Sequence, residues 1–301
     1  MAKLSVVISA FNEERNIIDC LVSVHGLADE IILVDNTSTD KTVEIAKEFQ
    51  AKIYSQPNKP MLNINKNYGF SKATGDWILN LDADERITPQ LREEILTILH
   101  SPSSDINGYW IPRKNIIFGK WIQHSLWWPD EQLRLFKNGK GKFPEQHVHE
   151  YIQVDGKTGH LKNPMDHQNY SSVSQWLYKM DNIYSNNEVE NFLTSKKELH
   201  WTDALKWPVS DFLKTYFSQQ GYKDGLHGLV LSMLQAFYME IVFAKIWERQ
   251  GFKKEEPDKN MIAGEIISLH KDMNYWLRTM ELENSKGFKR LILRILRKIR
   301  I

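Results

Sequence analysis

Residues 4–26, LSVVISAFNEERNIIDCLVSVHG, pass from an apolar, β-branched run straight into helical spacing. The first six residues read as a strand buried on both faces. Ile17, Ile18, Leu21 and Val22 then recur as one face of a helix, with Gly26 as its stop. The turn between them, SAFNEERN, contains no glycine. A nicotinamide or flavin domain would need G-x-G-x-x-G at this place, and a phosphate-cradling P-loop is missing too. The strand–helix unit therefore serves some other ligand.

The same alternation continues. EIILV, AKIYS and WILNL are further short apolar runs, separated by TSTDKTVEIAKEFQ, with Val43, Ala46 and Phe49 on one stripe, and by a shorter helical stretch around NKNYGFSKATG. Alternating strands and helices predict a mostly parallel sheet with right-handed crossovers, an α/β fold whose ligands gather at the carboxyl ends of the strands. Those ends carry acceptors: Asn12, Glu13 and Glu14, then Asp35 and Asn36, then Asp82, Asp84 and Glu85. Asp82 and Asp84 lie on the same side of an extended chain, and adjacent carboxylates repel unless something positive sits between them. Such groups suit base and ribose donors and a divalent cation bridging to phosphate. From 101 to 160 NGYWIPR, QLRLF and VHEYIQV read as strands between segments rich in Gly, Pro and Trp, and after about 170 the chain reads helical.

Bulk properties narrow the class. Of 301 residues, 42% are hydrophobic and 26% charged, as in a folded globular protein, and a net charge of +1 provides no field for nucleic acid. The single cysteine, Cys20, excludes a disulfide framework. The opening MAKLSVVISAFNEE is a strand followed by charge, without the apolar core and small-residue cleavage site of a secretory signal, so the expected location is the cytoplasm.

VVISAFNEE, ILVDNTSTDKT, NYGFSKATGDW and LNLDADE, in that order and spacing, resemble the nucleotide-sugar-binding half of family 2 glycosyltransferases with the GT-A fold. The likeness covers residues 3 to 165. A looser one, in KTYFSQQGYKDGLHGLVLSMLQAFYMEIVFAKIWE, is to bacterial lipopolysaccharide-core glucosyltransferases. The resemblance implies a GT-A, Rossmann-like catalytic domain over 1–168 and a helical region over 169–301 for membrane-surface or oligomer contacts. It implies that Ala10, Asn12 and Glu13 meet uracil or ribose and that Asp35 accepts a hydrogen bond from the base. Asp82, Ala83 and Asp84 would straddle the ribose and the metal on the diphosphate, and Lys66 and Asn67 would support the nucleotide. The alternative for Asp35 is a charge that favours a helix start. For the Asp82/Asp84 pair it is a solvated turn. Mg²⁺ or Mn²⁺ fits, since each prefers oxygen ligands and keeps positions open for substrate phosphates.

Inverting transfer also needs a base for the acceptor hydroxyl. In WWPDEQLRLF the candidates are Asp130 and, as the alternative, Glu131; relatives commonly read Glu-Asp here, whereas this chain reads Asp-Glu. Trp127 and Trp128 could stack on an acceptor sugar or simply fill a core. Arg134 could hold a phosphate bidentately or make a sheet-surface ion pair. In PEQHVHEYI, His149 is the candidate to complete the metal shell, the alternative being a hydrogen-bonded strand histidine; His160 and His167 receive no role. Zinc is a competing metal, but a tetrahedral site wants four closing ligands, and the chain has a single cysteine to offer.

The most apolar run, residues 229–239, is shorter than the ~20 residues of a span and is interrupted by Gln235 and Glu240. The terminal KGFKRLILRILRKIRI has seven basic residues and no acidic one, with Leu291, Ile295 and Ile299 at helical spacing beside Ile292 and Leu296. It reads as an interfacial helix at an anionic leaflet, the alternatives being a solvated or partner-binding helix. The expectation is a single-addition, metal-dependent hexosyltransferase, since the Gln-x-x-Arg-Trp of processive synthases is absent. It would take a UDP-sugar and a lipid-linked or envelope glycan, on the inner face of the membrane. The rival reading is a catalytically silent GT-A scaffold at a membrane. A sugar-nucleotide pyrophosphorylase would need a glycine-rich loop with lysine after the first strand.

Overall fold

The first four apolar runs form strands β1 (Leu4–Ala10), β2 (Glu30–Asp35), β3 (Lys52–Ser55) and β4 (Trp77–Asp82), connected by helices α1 (Ile17–Val24), α2 (Thr42–Glu48) and α3 (Leu62–Phe70). β1 pairs in parallel with β2 and β4, and β2 with β3. Beyond β4 come β5 (Glu85–Arg86), α4 (Pro89–His100), β6 (Ile106–Ile117), β7 (Lys120–Trp121), β8 (Asp130–Lys137), β9 (Gly141–Lys142), β10 (Gln153–Val154), β11 (Lys157–His160) and β12 (Met165–Tyr170). The sheet runs β3-β2-β1-β4-β8-β6-β12-β5, and it turns antiparallel where β8 joins β4 and β6. This is a mixed α/β sheet, parallel in its first half. The computed structural model describes residues 1–59, 62–145, 150–195, 197–283 and 285–299.

Both faces of the sheet are covered, which is why its central strands read as continuous apolar runs. On one face Leu4, Val6, Ile8, Leu79 and Leu81 pack with Cys20 and Leu21 of α1 and Leu91, Ile95 and Leu99 of α4. On the other, Val7, Val34 and Ile78 meet Phe70 of α3, Phe136 and Phe143. Thr88 caps α4 through its hydroxyl, which accepts from Leu91 N–H at 3.3 Å, with Pro89 at the first helical position. The strand expected at VHEYIQV is confined, among the described residues, to Gln153–Val154, paired with Gly141–Lys142. Its first two residues, Val148 and His149, lie outside the described residues.

Contacts divide the chain into two units, residues 1–117 with 128–169, and residues 118–127 with 170–301. The second unit is helical: α5 (Val173–Lys179), α6 (Ser185–Thr194), α7 (Asp203–Phe212), α8 (Leu226–Arg249), α9 (Lys259–Glu283) and α10 (Gly287–Ile299), with π-helical turns at Met180–Tyr184 and Leu213–Ser218. Val189, Leu199, Val242 and Ile246 form a core there, with Trp207 and Phe243 against it. Buried Asp224 ties the excursion 118–127 into this unit by accepting from the backbone N–H of Gln123 (3.2 Å) and His124 (2.9 Å). α8 runs unbroken through Gln235 and Glu240, so the apolar helix is longer than the 229–239 run suggests. By length and composition alone it could cross a bilayer.

One glycine sets the seat of α3. A Cβ on Gly69 would lie 2.6 Å from Val7 Cγ1 and 2.9 Å from Val34 Cγ2, closer than packed carbons allow. The helix thus rests directly on β1 and β2, and Lys66, one turn earlier, is delivered to the end of β4. Gly69→Ala is expected to cost about 1–3 kcal/mol through overpacking. Urea denaturation checks this, and an unchanged midpoint would refute the close seat.

Candidate active site

The loops after β1 and β2 are zipped to each other. Asn12, at φ 54°, donates its N–H to Ser38 Oγ (3.0 Å) and accepts from Thr39 N–H at its Oδ1 (2.8 Å). Glu13 N–H donates to Thr42 Oγ1 at 2.8 Å, and Ala10 O accepts from Asn36 N–H at 2.8 Å. Buried Asp35 closes the β2 turn by accepting from Ser38 N–H at 3.1 Å. It precedes α2 by seven residues, and Asp40 is the carboxylate that accepts from Thr42 at that helix start. The helix-start explanation of Asp35 therefore falls away. Ala10, Asn12, Glu13 and Asp35 line the carboxyl ends of β1 and β2.

At the end of β4, Asp82 is flanked by two cations. Lys66 Nζ lies 2.5 Å from its Oδ1 and Arg134 Nη2 2.5 Å from its Oδ2. Burial pushes this carboxyl up, but the charges of Arg134 and Lys66 outweigh it and hold it well below the usual carboxylate range. Arg134 occupies a bulge in β8: Tyr109 pairs with Leu135 and Trp110 with Leu133, leaving residue 134 as the extra one. Its Nη2 also reaches Glu85 Oε1 at 2.7 Å, and Glu85 is fully buried. Burial opposes the Arg134 charge, yet Asp82 and Glu85 keep its pKa raised. The turn is clamped from behind: Arg86 donates to Ala83 O and Asn16 O, each at 3.0 Å, and Cys20 Sγ–H points at Asp82 O, 3.6 Å away. Burial pushes the Cys20 thiol up, so it stays a protonated donor.

The row of charges continues. Arg113 Nη1 lies 3.4 Å from Glu85 Oε1, and its Nε and Nη2 donate to Asp130 Oδ2 at 2.8 and 2.6 Å. Asn115 donates to the same oxygen at 3.1 Å and Gln132 to Oδ1 at 2.8 Å. Burial raises Asp130, but Arg113 and these hydrogen bonds bring its pKa below the ordinary value. The neighbour Glu131 points the other way, as alternation on β8 requires, and its Oε1 meets His160 Nδ1 at 2.9 Å. The structure thus brings Asp130 together with Asp82 and leaves Glu131 outside the cluster.

Asp84 faces a residue that the sequence reading passed over. His167 Nε2 is 3.5 Å from Asp84 Oδ2. Asn115 Oδ1 accepts from Asn169 Nδ2 (3.1 Å) and lies 2.7 Å from His167 Nδ1. Since the Asn115 amide donates to Asp130, its oxygen is the acceptor, and His167 Nδ1 is the donor to it. Held through Nδ1, the ring turns Nε2 toward a carboxylate, the orientation of an imidazole in metal sites. Oxygen and imidazole donors suit Mn²⁺, and the oxygens suit Mg²⁺ as well, so Asp84 and His167 fit a cation that takes the rest of its shell from phosphate and water. Among the described residues no third His, Cys, Asp or Glu joins them in one group, and His149 lies outside those residues.

Other candidates are placed elsewhere. Asn67 grips the backbone of Phe143 through both amide atoms, at 2.9 Å each, and borders a cleft of about 670 Å³ whose lining includes Phe70, Lys140 and Lys142 but not Asp82 or Asp84. Trp127 sits in the helical unit, edge-on to Tyr170 at 6.3 Å, while Trp128 belongs to the first unit.

The model of glycosyl transferase family 2 matches residues 5–158, just over half of the chain, and the chain belongs to that family. It is 31% identical over 264 residues to an uncharacterized glycosyltransferase of Rickettsia typhi, covering 82% of this chain and 88% of that one. It is 28% identical over 257 residues to the lipopolysaccharide core biosynthesis glycosyltransferase LpsC of Rhizobium meliloti, covering 83% and 94%. Among solved structures it resembles S. aureus TarS 1–349 in complex with UDP, at 16% identity and a TM-score of 0.44, over 85% of this chain and 94% of that chain. The family and the mixed sheet flanked by helices define a GT-A glycosyltransferase with a C-terminal helical region.

If Asp84 and His167 hold a cation, His167→Ala weakens Mn²⁺ binding by at least about 10-fold. Electron paramagnetic resonance titration, with UDP present, reads this directly. Wild-type affinity in His167→Ala would remove that residue from the metal shell.

Proposed function

We propose that the protein is an inverting, single-addition glycosyltransferase that moves a hexose from a UDP-sugar to a hydroxyl of a lipid-linked or envelope glycan. The observation that carries this is the unbroken run of contacts from Lys66 and Asp82 to Asp130, which joins a diphosphate-handling end to a proton-accepting end. The β1 and β2 loops take the nucleoside, with Asp35 accepting from the base and Ala10, Asn12 and Glu13 bordering the ribose. Lys66 and Arg134, which lie on Asp82, are placed to turn toward the diphosphate as it arrives. Asp82, Ala83 and Asp84 border the ribose and phosphates.

A divalent cation, Mg²⁺ or Mn²⁺, would be held by Asp84 and His167 beside Asp82 and would supply Lewis-acid neutralisation of the leaving diphosphate. Asp130 acts as the base: Oδ2 is fixed by Arg113 and Asn115, and Oδ1, with one partner in Gln132, has capacity to accept the hydroxyl proton. Inversion follows if the hydroxyl attacks from the side of Asp130, opposite the diphosphate. The name of LpsC supports an acceptor of the lipopolysaccharide-core type. Screening UDP-, GDP- and dTDP-sugars for hydrolysis, with and without Mn²⁺, tests the donor and metal. UDP-sugar turnover is expected, abolished by chelation and reduced at least about 100-fold in Asp130→Asn. Turnover indifferent to chelation would overturn the metal, and full activity in Asp130→Asn would overturn the base.

The helical unit suits a membrane surface. Leu293 of α10 is buried, while Phe288, Leu291, Ile292, Ile295 and Ile299 remain exposed alongside Lys289, Arg290, Arg294 and Lys298. Arg297 lies over the Tyr275 ring of α9 at 5.6 Å, which fixes α10 on its neighbour. An apolar stripe edged only by cations fits an anionic leaflet, on the cytoplasmic side. Deleting residues 286–301 is expected to release the protein from phosphatidylglycerol vesicles in a sedimentation assay; continued co-sedimentation would show that another surface anchors it.

A further inference from the structure

Glu85 has no assigned part in the transfer, yet it holds the middle of the charge row. It is fully buried, where an ionised carboxylate is costly unless every oxygen is matched. Oε1 accepts from Arg134 Nη2 at 2.7 Å and lies 3.4 Å from Arg113 Nη1, while Oε2 accepts from Asp82 N–H at 3.0 Å. Each arginine holds a second carboxylate, Arg134 on Asp82 and Arg113 on Asp130. The sequence Lys66, Asp82, Arg134, Glu85, Arg113, Asp130 alternates in sign and contains three charges of each kind.

We propose that Glu85 is a positioning residue that sets the register of Arg134 and Arg113 and so couples the donor end of the site to the base. The proposal rests on the reading of Asp130 as that base. Glu85 touches no substrate. Its place is fixed by β5, paired to β12 where Glu85 stands opposite His167, so it is the immobile point against which both arginines are held. When Arg134 turns toward a diphosphate, Glu85 keeps Arg113 from following, and the fork on Asp130 stays in place. Without the Glu85 charge, three cations face two carboxylates: Arg134 keeps its pair with Asp82, and Arg113 closes more tightly on Asp130. The base is then misplaced and less able to take a proton, while the nucleoside contacts at β1 and β2 are untouched.

The test uses the full-length protein and UDP-sugar hydrolysis, in which water replaces the acceptor at Asp130. Glu85→Gln, which preserves size, is expected to lower kcat by about 10- to 100-fold. UDP affinity, measured by calorimetry with Mn²⁺, is expected to change by less than about threefold, the split that marks a loss confined to the transition state. In the double variant Glu85→Gln/Arg113→Met, kcat should fall no further than in the slower single variant, because both act through one fork. A normal kcat in Glu85→Gln, or a double-variant loss equal to the product of the single losses, would overturn the proposal. So would a loss of UDP affinity that matches the loss in kcat. If Glu85→Gln does not fold, Arg113→Lys carries the test. It keeps the charge but not the fork, and an unchanged kcat there would overturn the coupling. Asp130→Asn separates the two readings: if it turns over normally the base assignment fails, whatever Glu85 does.

Discussion

The contact between Arg134 and Asp82 is the one on which the rest of the site depends. Two carboxylates at the end of β4 cannot stand side by side, half-buried, without positive charge between or beside them. Arg134 arrives from an antiparallel neighbour, at a bulge that places it out of the regular alternation of β8. Had the sheet remained parallel past β4, the neighbouring strand would present a different end here and the arginine would be elsewhere. The switch to antiparallel pairing is thus what brings β8, with Asp130 at its start, onto the same cluster as Asp82.

The second dependence is the seat of α3. Gly69 lets the helix lie on Val7 and Val34, and that closeness brings Lys66 to the other oxygen of Asp82. Ion pairs at a protein surface are worth little, but these sit where solvent is largely displaced, so geometry rather than count decides their strength. The clamp formed by Arg86 and Cys20 behind the turn has the same effect from the opposite side. It fixes the backbone of Asp82 to Ala83 against α1, leaving only the side chains to respond to a ligand.

Much of this was legible in the order of residues. The strand–helix alternation gave the parallel half of the sheet, and the acidic clusters at three strand ends pointed to the candidate site at the carboxyl ends of the strands. Which of Asp130 and Glu131 joins the Asp82 cluster was within reach too, because consecutive residues of a strand face opposite sides. What could not be read was anything that depends on non-local pairing. Arg113, Asn115 and His167 are ordinary polar residues on β6 and β12, and only the antiparallel order places them beside Asp84, Glu85 and Asp130. His167 lay in a polar stretch, MDHQNY, with no strand period of its own, where β12 depends on its place between β6 and β5. The excursion 118–127 was equally hidden, since its attachment to Asp224 links residues a hundred positions apart. Asn67, read beside Lys66 as a nucleotide contact, holds the backbone of Phe143 through both amide atoms, a non-local pairing the sequence did not show.

The claim at the centre is that the Lys66–Asp82–Arg134 cluster receives a sugar diphosphate. A crystal structure of the complex with UDP and Mn²⁺ tests it most directly. The account predicts the metal against Asp84 and His167, the uracil at Asp35, and Lys66 and Arg134 turned from Asp82 toward the diphosphate. UDP bound instead in the cleft beside Lys140 and Lys142, with the Asp82 ion pairs unchanged, would contradict it.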